Sequence, residues 1–227
     1  MNPEAAAYAN AVKIAEKGAV PETGELLDAL VSVLRRFVIL GDSEYDVIAL
    51  WVLHAYAIEH ADSTPYLHIC SPEKRSGKSR LLEVLGEIVP RPLKSVNASP
   101  AAIYRSLAET PPPTLLFDEV DTVFSPKRSK DSSEDLRGLI NAGYRRGNPA
   151  LRCVGEGSSQ TVARFEVFGA KALAGIGRLP DTIADRCLPI TLRRKLTSEK
   201  VERGRLKRIE AAAVPVARIA SVWADNL

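Results

Sequence analysis

The chain has 227 residues, of which 45% are hydrophobic and 26% charged, and its formal net charge is +3. This length suits one α/β domain with appendages, and the composition is that of an ordinary globular protein rather than a disordered one. The mild positive charge permits a nucleic-acid partner but does not argue for one, because the distribution of charge matters more than its sum.

The cysteines and the N-terminus predict a reducing, aqueous environment. Cys70, Cys153 and Cys187 are odd in number and lack metal-ligand spacing, so we expect free thiols. Residues 1–19 contain acids and no apolar core of a signal peptide, and no apolar run approaches the length of a membrane span. We therefore expect a cytoplasmic protein without membrane association.

Three helices are predicted before the first strand. Residues 4–17 can form the first helix, and residues 22–38 carry apolar side chains at helical spacing. A third helix, from about residue 43 to 58, is apolar enough to be mostly buried. We expect region 1–62 to be an N-terminal helical bundle beside a core domain at 63–195.

A strand, a polar turn and a helix follow in the order that phosphate binding needs. The β-type run 66–70 leads to Gly77-Lys78-Ser79, after which helical periodicity begins. Loop amides would surround phosphates, Lys78 would neutralise their oxygens, and Ser79 would offer its hydroxyl to Mg²⁺. The predicted nucleotide-binding residues are Glu73, Lys74, Arg75, Ser76, Gly77, Lys78, Ser79 and Arg80.

One position departs from the full phosphate-loop pattern. Gly-x-x-x-x-Gly-Lys-Ser requires a glycine where this chain has Pro72. Proline has no N–H and a fixed φ, so the chain cannot enter this loop in the usual way.

The next elements alternate strand and helix. A short strand is predicted at 93–96, and Ser99-Pro100 is expected to cap a helix at 101–107. Residues 125–135 are polar and predict a loop, followed by a helix to residue 144. This alternation predicts a mostly parallel sheet with helices on its faces.

A second chemical motif lies at the end of the apolar strand 114–117. Asp118 is expected to hold Mg²⁺ together with Ser79, and Glu119 to polarise the attacking water. Alternatively, the two acids cap the following segment. Taken together, the two motifs predict that Lys78, Asp118 and Glu119 converge on one magnesium triphosphate from adjacent strand tips, in the motif order of additional-strand P-loop ATPases.

A hairpin is predicted at about 150–168, because two β-type runs flank a glycine-rich turn. The turn carries no basic residue, so a plain surface hairpin is an alternative to a DNA-contacting one. The candidate DNA contacts are Arg145, Arg146, Arg152 and Arg164.

A further apolar strand, 170–176, ends close to Arg178, which is a candidate sensor of the γ-phosphate, as is Thr182. Arg186 precedes the last predicted strand, 188–192. In that position it could act as an arginine finger that completes the site of a neighbouring subunit. The alternative is that Arg186 pairs with Asp181 or Asp185 of its own subunit.

The tail from residue 193 is rich in lysine and arginine. Ser198 is expected to cap a helix through Arg208, and a second helix is predicted at 211–223. We expect region 196–227 to be a reduced helical lid, from which Arg203 or Arg205 could reach a nucleotide. A solvated basic face is the alternative.

The motifs together resemble an uncharacterised family of AAA+-like P-loop ATPase domains found in actinobacterial, phage and mobile-element replication proteins of primase or helicase type. The resemblance spans roughly residues 25–210. It implies an ATP-binding fold, and it also implies that Pro72 is a family feature rather than a disruption of the loop. The matching blocks are Ser71–Arg80, Leu116–Thr122, Leu136–Gly147 and Ala170–Arg186.

The sequence therefore predicts an α/β protein of the AAA+ P-loop NTPase class that binds ATP and Mg²⁺, hydrolyses ATP and acts on DNA as a replication helicase or helicase loader. We expect a homo-oligomer when active, with a replication protein as a further partner. Two alternatives stay open. One is a nucleotide-dependent switch that remodels a protein partner, and the other is an ATP-binding scaffold that does not hydrolyse.

Overall fold

The computed structural model of the chain describes residues 3–96, 99–124, 130–154 and 161–227. The predicted hairpin turn and the first part of the predicted loop 125–135 lie outside these residues. The helices are α1 Pro3–Lys17, α2 Thr23–Phe37, α3 Asp42–Tyr56, α4 Lys78–Ile88, α5 Pro100–Leu107, α6 Val120–Val123, α7 Lys130–Ala142, α8 Asp181–Ala184 and α9 Leu206–Ala224. The strands are β1 Tyr66–Ser71, β2 Pro92–Ser95, β3 Thr114–Phe117, β4 Ala150–Val154, β5 Thr161–Phe165, β6 Lys171–Ile176 and β7 Cys187–Thr191.

Five strands form one parallel sheet in the order β2-β3-β6-β1-β7. Helices flank this sheet, so the predicted α/β class with a mostly parallel sheet is confirmed. Strands β4 and β5 pair antiparallel as a separate hairpin, as predicted. The strand β3 is buried along its whole length, which explains why its sequence is apolar throughout.

Two apolar clusters occupy the two faces of the sheet. The first joins helices α1–α4 and α9 to one face, and Leu30 of α2, Trp51 of α3 and Leu85 of α4 are buried in it. The second packs α5, α7 and the hairpin on the other face. The N-terminal helices therefore share the core of the sheet and have no core of their own.

Strand order decides which loops come together. The strands are parallel, so the segments after β1, β3 and β6 all lie at the carboxyl edge of the sheet. This edge carries Gly77 after β1, Asp118 after β3 and Arg178 after β6. The prediction of adjacent strand tips is wrong in one respect, because β6 lies between β1 and β3.

The opposite, amino edge of the sheet contains a fully buried lysine. Lys171 starts β6, and its Nζ donates to the carbonyls of Val167 and Gly169 at 2.9 Å each. The Nζ also lies 4.9 Å from the centre of the Tyr66 ring. Burial lowers the pKa of Lys171 to about 7, because the charged form loses its hydration.

The tail differs from its prediction. Segment 192–205 has no regular structure, and a single helix, α9, replaces the two expected ones. Pro215 lies inside α9 and removes the N–H that would bond the Ala211 carbonyl. The hydroxyl of Tyr8 on α1 donates to that carbonyl instead, at 3.3 Å, so a tertiary contact compensates for the proline.

Residues 130–135, predicted as part of a loop, are the first turns of α7. The Ser99 cap on α5 is confirmed, since its hydroxyl accepts from the Ala102 N–H at 3.3 Å. Over the described parts of the chain, no helix has both the length and the apolar character that crossing a membrane requires.

Candidate nucleotide-binding site

The loop between β1 and α4 is closed by contacts of its own chain. The buried hydroxyl of Ser71 accepts from the Glu73 N–H at 3.0 Å and donates to the Glu73 carbonyl at 2.8 Å. These bonds bridge Pro72, which has no N–H to contribute, and form a serine turn. The loop ends at Gly77, whose φ of 99° belongs to the left-handed region that side chains disfavour.

Lys78 begins α4 and points back into the loop. Its Nζ donates to the carbonyl of Glu73 at 3.2 Å and to Ser76 Oγ at 3.4 Å. The ammonium therefore lies where the loop backbone curves around it, at the N-terminus of an eleven-residue helix. Exposed helical N–H groups and a lysine together favour an anion at this point.

The two predicted motifs are in direct contact. The hydroxyl of Ser79 donates to Oδ2 of Asp118 at 2.9 Å, across the intervening strand β6. The other carboxylate oxygen of Asp118 accepts from the Glu119 N–H at 2.8 Å. A hydroxyl and a carboxylate so placed are hard oxygen ligands of the kind that Mg²⁺ prefers.

Glu119 has a left-handed backbone, with φ 58° and ψ 36°, and its side chain is exposed at the carboxyl edge. Such a conformation costs a non-glycine residue about 1–2 kcal/mol. The Glu119 backbone is bonded on both sides, because its N–H donates to Asp118 Oδ1 and its carbonyl accepts from the Thr122 hydroxyl, each at 2.8 Å. Oδ1 of Asp121 accepts from the Ile176 N–H at 3.0 Å, and a Cβ on Gly175 would lie 2.7 Å from that same oxygen. Asp121 therefore has a structural role, in joining α6 to the end of β6.

A cavity of about 400 Å³ adjoins the loop. This volume is within the range of small-molecule sites. The apolar residues Phe37, Val38 and Ile39 at the end of α2 form one wall, and Ser76 and Gly77 form another. The sequence interpretation missed the wall at 37–39, because that apolar run also fits the end of a helix.

Segment 192–205 forms the remaining wall of the cavity and is bonded to the loop. Arg194 Nε lies 2.8 Å from the Glu73 carboxylate and donates to the Lys74 carbonyl at 3.1 Å. Arg36 at the end of α2 forms an ion pair with Glu202 at 2.8 Å. No local sequence pattern indicated these contacts, because each joins residues more than a hundred positions apart.

This segment is folded around one acid. The Glu199 carboxylate accepts from Arg193 at 2.8 Å and from the Leu196 N–H at 2.6 Å. These hydrogen bonds to the ionised form lower the pKa of Glu199 to about 2. Gly204 lies against Arg80, where any Cβ would collide with the guanidinium. Arg203 and Lys195 also line the cavity, whereas Arg205 directly precedes α9 and is not among the lining residues.

The candidate sensor and the candidate finger lie at opposite edges of the sheet. Arg178 follows β6, is exposed, and makes no hydrogen bond or ion pair within the part of the chain that is described. Arg186 precedes β7 at the amino edge. It donates to the Thr182 carbonyl and lies over the Tyr144 ring at 5.5 Å. No ion pair to Asp181 or Asp185 is present among the described residues.

The predicted DNA-contacting arginines have different environments. Arg146 donates to the carbonyls of Ile58, Glu59 and Ala61 at 2.7–3.1 Å. Arg152 binds Asp135 and lies 4.7 Å from the Tyr104 ring centre. The side chains of the other two donate to no backbone carbonyl within the described residues. Arg145 is exposed, as Arg146 is, and the Arg164 side chain is 64% exposed beside Glu166.

Within the described residues, no group of three or more His, Cys, Asp or Glu side chains could hold a metal by itself. All three cysteines are free, as expected. No protein-family model matches the chain, and no curated protein matches its sequence. The resemblance to AAA+-like domains thus stays a prediction, and the functional argument depends on the geometry of the site.

Proposed function

We propose that this chain is an AAA+-like P-loop ATPase that binds ATP with Mg²⁺ and hydrolyses it. The observation that carries the proposal is the 2.9 Å hydrogen bond from Ser79 to Asp118, which brings the Gly-Lys-Ser and Asp-Glu motifs into one site. Strand order supports it as well, since a strand inserted between the two motif strands is the arrangement that gives additional-strand ATPases their name.

The cavity supports a nucleotide rather than phosphate alone. It continues from the loop to the apolar wall at 37–39, so a base can lie against that wall while its phosphates lie at the loop. Phosphate binding would require Lys78 to exchange the Glu73 carbonyl and the Ser76 hydroxyl for phosphate oxygens. Both present bonds are long, which makes this exchange inexpensive.

Ser79 and Asp118 fit the ligand set that Mg²⁺ uses with nucleotides. That ion is usually held by one or two protein oxygens, by phosphate oxygens and by waters, so a cage of several acids is not needed. When bound, it would neutralise charge that develops on the transferred phosphoryl group. Glu119, beside Asp118 and exposed at the same edge, is the proposed base that orients the attacking water.

The position of Arg186 supports action in trans. Strands β1 and β7 are parallel neighbours, with Arg186 before β7 and the phosphate loop after β1. The length of a five-residue strand, about 16 Å at ~3.3 Å per residue, separates Arg186 from the loop of its own subunit. A finger at that distance can reach only a neighbour's phosphates, which favours an active homo-oligomer.

We further propose that the protein acts on DNA, as a replication helicase or helicase loader with a replication protein as partner. Arg145 is exposed and donates no side-chain hydrogen bond within the described residues, so it is the candidate contact best placed to bind a phosphate. One observation favours a second candidate function, a nucleotide-dependent switch for a protein partner. Arg146 and Arg152 are held by carbonyls of their own chain, which leaves fewer free cations for DNA.

ATPase turnover, measured across protein concentrations with and without single- or double-stranded DNA, tests these proposals. Turnover per subunit should rise with concentration, because the finger is supplied in trans, and it should rise further with DNA. Turnover that is indifferent to DNA and raised by a protein partner supports the switch. A wild-type chain that binds ATP without turnover is the non-hydrolysing scaffold and refutes the ATPase proposal.

A further inference from the structure

The outer face of the β4–β5 hairpin is exposed and apolar at its centre. Alternate residues turn inward, where Phe165 packs on Tyr104 at 5.8 Å between ring centres. The residues between them turn outward, and Leu151 and Val162 are 58% and 69% exposed. We call this surface the hairpin face; it consists of Leu151, Cys153, Val162 and Arg164.

A groove of complementary chemistry lies between α2 and α3. It has a volume of about 240 Å³ and an apolar floor. Two acids, Asp28 and Asp46, border it, and neither forms an ion pair or hydrogen bond within the described parts of the chain. We call this surface the α2–α3 groove; its lining residues are Gly24, Leu27, Asp28, Val31, Asp46, Ala49 and Leu50.

The spacing of apolar side chains is similar on the two surfaces. Leu151 pairs with Arg164 across the hairpin and Cys153 with Val162, so Leu151 and Val162 are diagonal neighbours about 7 Å apart. Leu27 and Val31 are one helical turn apart on α2, about 5–6 Å. The hairpin face thus offers two apolar side chains, Leu151 and Val162, beside the cation Arg164. The α2–α3 groove offers two apolar side chains, Leu27 and Val31, beside two carboxylates.

The two surfaces cannot meet within one molecule. The groove belongs to the cluster on one face of the sheet and the hairpin to the cluster on the other. A contact between two different surfaces on opposite sides of a subunit is a head-to-tail, or heterologous, contact. When each subunit makes the same contact with the next, the assembly closes into a ring or continues as a filament. We propose that the hairpin face of one copy of this chain docks into the α2–α3 groove of the next copy.

This contact is expected to be weak by itself. A two-stranded hairpin covers far less than the ~1,600 Å² of a standard interface, so the contact orients subunits that other surfaces also hold. The Arg164 pair with Glu166, at 3.4 Å and exposed, does not compete strongly, because such pairs contribute about 0–1 kcal/mol. Nothing in the contact requires nucleotide, so its failure would leave the ATP proposal standing.

Cross-linking can test the contact because the hairpin face already carries an exposed thiol, Cys153. Leu50 is 56% exposed, so Leu50→Cys can be made without disturbing the core. With a short bismaleimide and no nucleotide, Leu50→Cys should give a ladder of dimers, trimers and larger species, since head-to-tail contacts continue. Adding Cys153→Ser should abolish the ladder. Leu206→Cys, at an equally exposed position outside the groove, is the matched control.

A charge exchange sharpens the test. Asp46→Arg in the Leu50→Cys protein should reduce the ladder about fivefold, since loss of an exposed ion pair costs up to about 1 kcal/mol. Arg164→Asp added to it should restore the ladder. Circular dichroism of each variant checks that folding is intact. Three outcomes would each overturn the proposal. They are cross-linking that stops at the dimer, a ladder from Leu206→Cys equal to that from Leu50→Cys, and failure of the Arg164→Asp change to restore the ladder.

Discussion

Replacing Asp118 with asparagine should change ATP affinity in opposite directions with and without Mg²⁺. Asp118 accepts the Ser79 hydroxyl at 2.9 Å and is partly buried at the carboxyl edge. With Mg²⁺ present, its carboxylate is the proposed ligand of the ion, so Asp118→Asn should weaken binding. Without Mg²⁺, the same carboxylate repels the triphosphate, so Asp118→Asn should strengthen binding.

The magnitudes follow from distance and charge. A charge-assisted contact contributes about 1.5–3 kcal/mol, so its loss should reduce affinity in Mg²⁺ by about 10- to 100-fold. A carboxylate and a phosphate about 6 Å apart, with an effective dielectric constant between ~40 and ~80, repel by about 0.7–1.4 kcal/mol. Removal of that repulsion should raise affinity without Mg²⁺ by about three- to tenfold.

The assay is a titration with a fluorescent ATP analogue, in excess Mg²⁺ and again in EDTA, for the wild type and the variant. Asp121→Asn is the matched control, since asparagine can still accept the Ile176 N–H and the Asp121 side chain faces β6. Its affinity should be near that of the wild type in both buffers. An Asp118→Asn effect of the same sign in both buffers would refute the assignment of Asp118 to the ion.

Four other variants give three independent tests. Glu119→Gln should retain ATP binding and lower turnover by about 10²–10⁴-fold, as loss of a general base does, when single-turnover hydrolysis is measured. Arg186→Ala and Lys78→Ala should each be inactive alone. A mixture of the two should recover turnover, because the Arg186→Ala subunit supplies an intact loop and the Lys78→Ala subunit supplies the finger. Absence of recovery would exclude a finger in trans. Burial sets the folded pKa of Lys171 at about 7, below its ordinary 10.5, so the unfolded chain binds more protons between these values. The free energy of unfolding by urea should therefore rise from pH 7 to about 9, and Lys171→Met should remove that slope. Above pH 9 the raised pKa of Cys187, about 12, acts in the opposite direction.

Local sequence patterns were sufficient to predict most of the elements. Apolar spacing gave α2 to within a residue at each end, and Ser99-Pro100 gave the start of α5, because caps and periodicity depend on near neighbours. The apolar run before Asp118 indicated a buried parallel strand for the same reason. Both candidate motifs were therefore assigned to the correct edge of the sheet.

Features that depend on distant partners could not be predicted. The insertion of β6 between the motif strands is a property of sheet topology, which no single stretch encodes. Segment 192–205 has helix-compatible residues, but its backbone is held by hydrogen bonds to Glu199, and Arg194 pairs with Glu73 of the β1–α4 loop. The continuity of α9 through Pro215 depends on a hydroxyl from Tyr8, about two hundred residues earlier in the chain.

The most direct test of the central claim is isothermal titration calorimetry of ATP into the wild-type chain with Mg²⁺ present. The geometry of Lys78, Ser79 and Asp118 predicts one saturable site per chain, with affinity that falls when Mg²⁺ is removed and is lost in Lys78→Ala. Absence of ATP uptake by a folded wild-type chain, or equal uptake by Lys78→Ala, would contradict it.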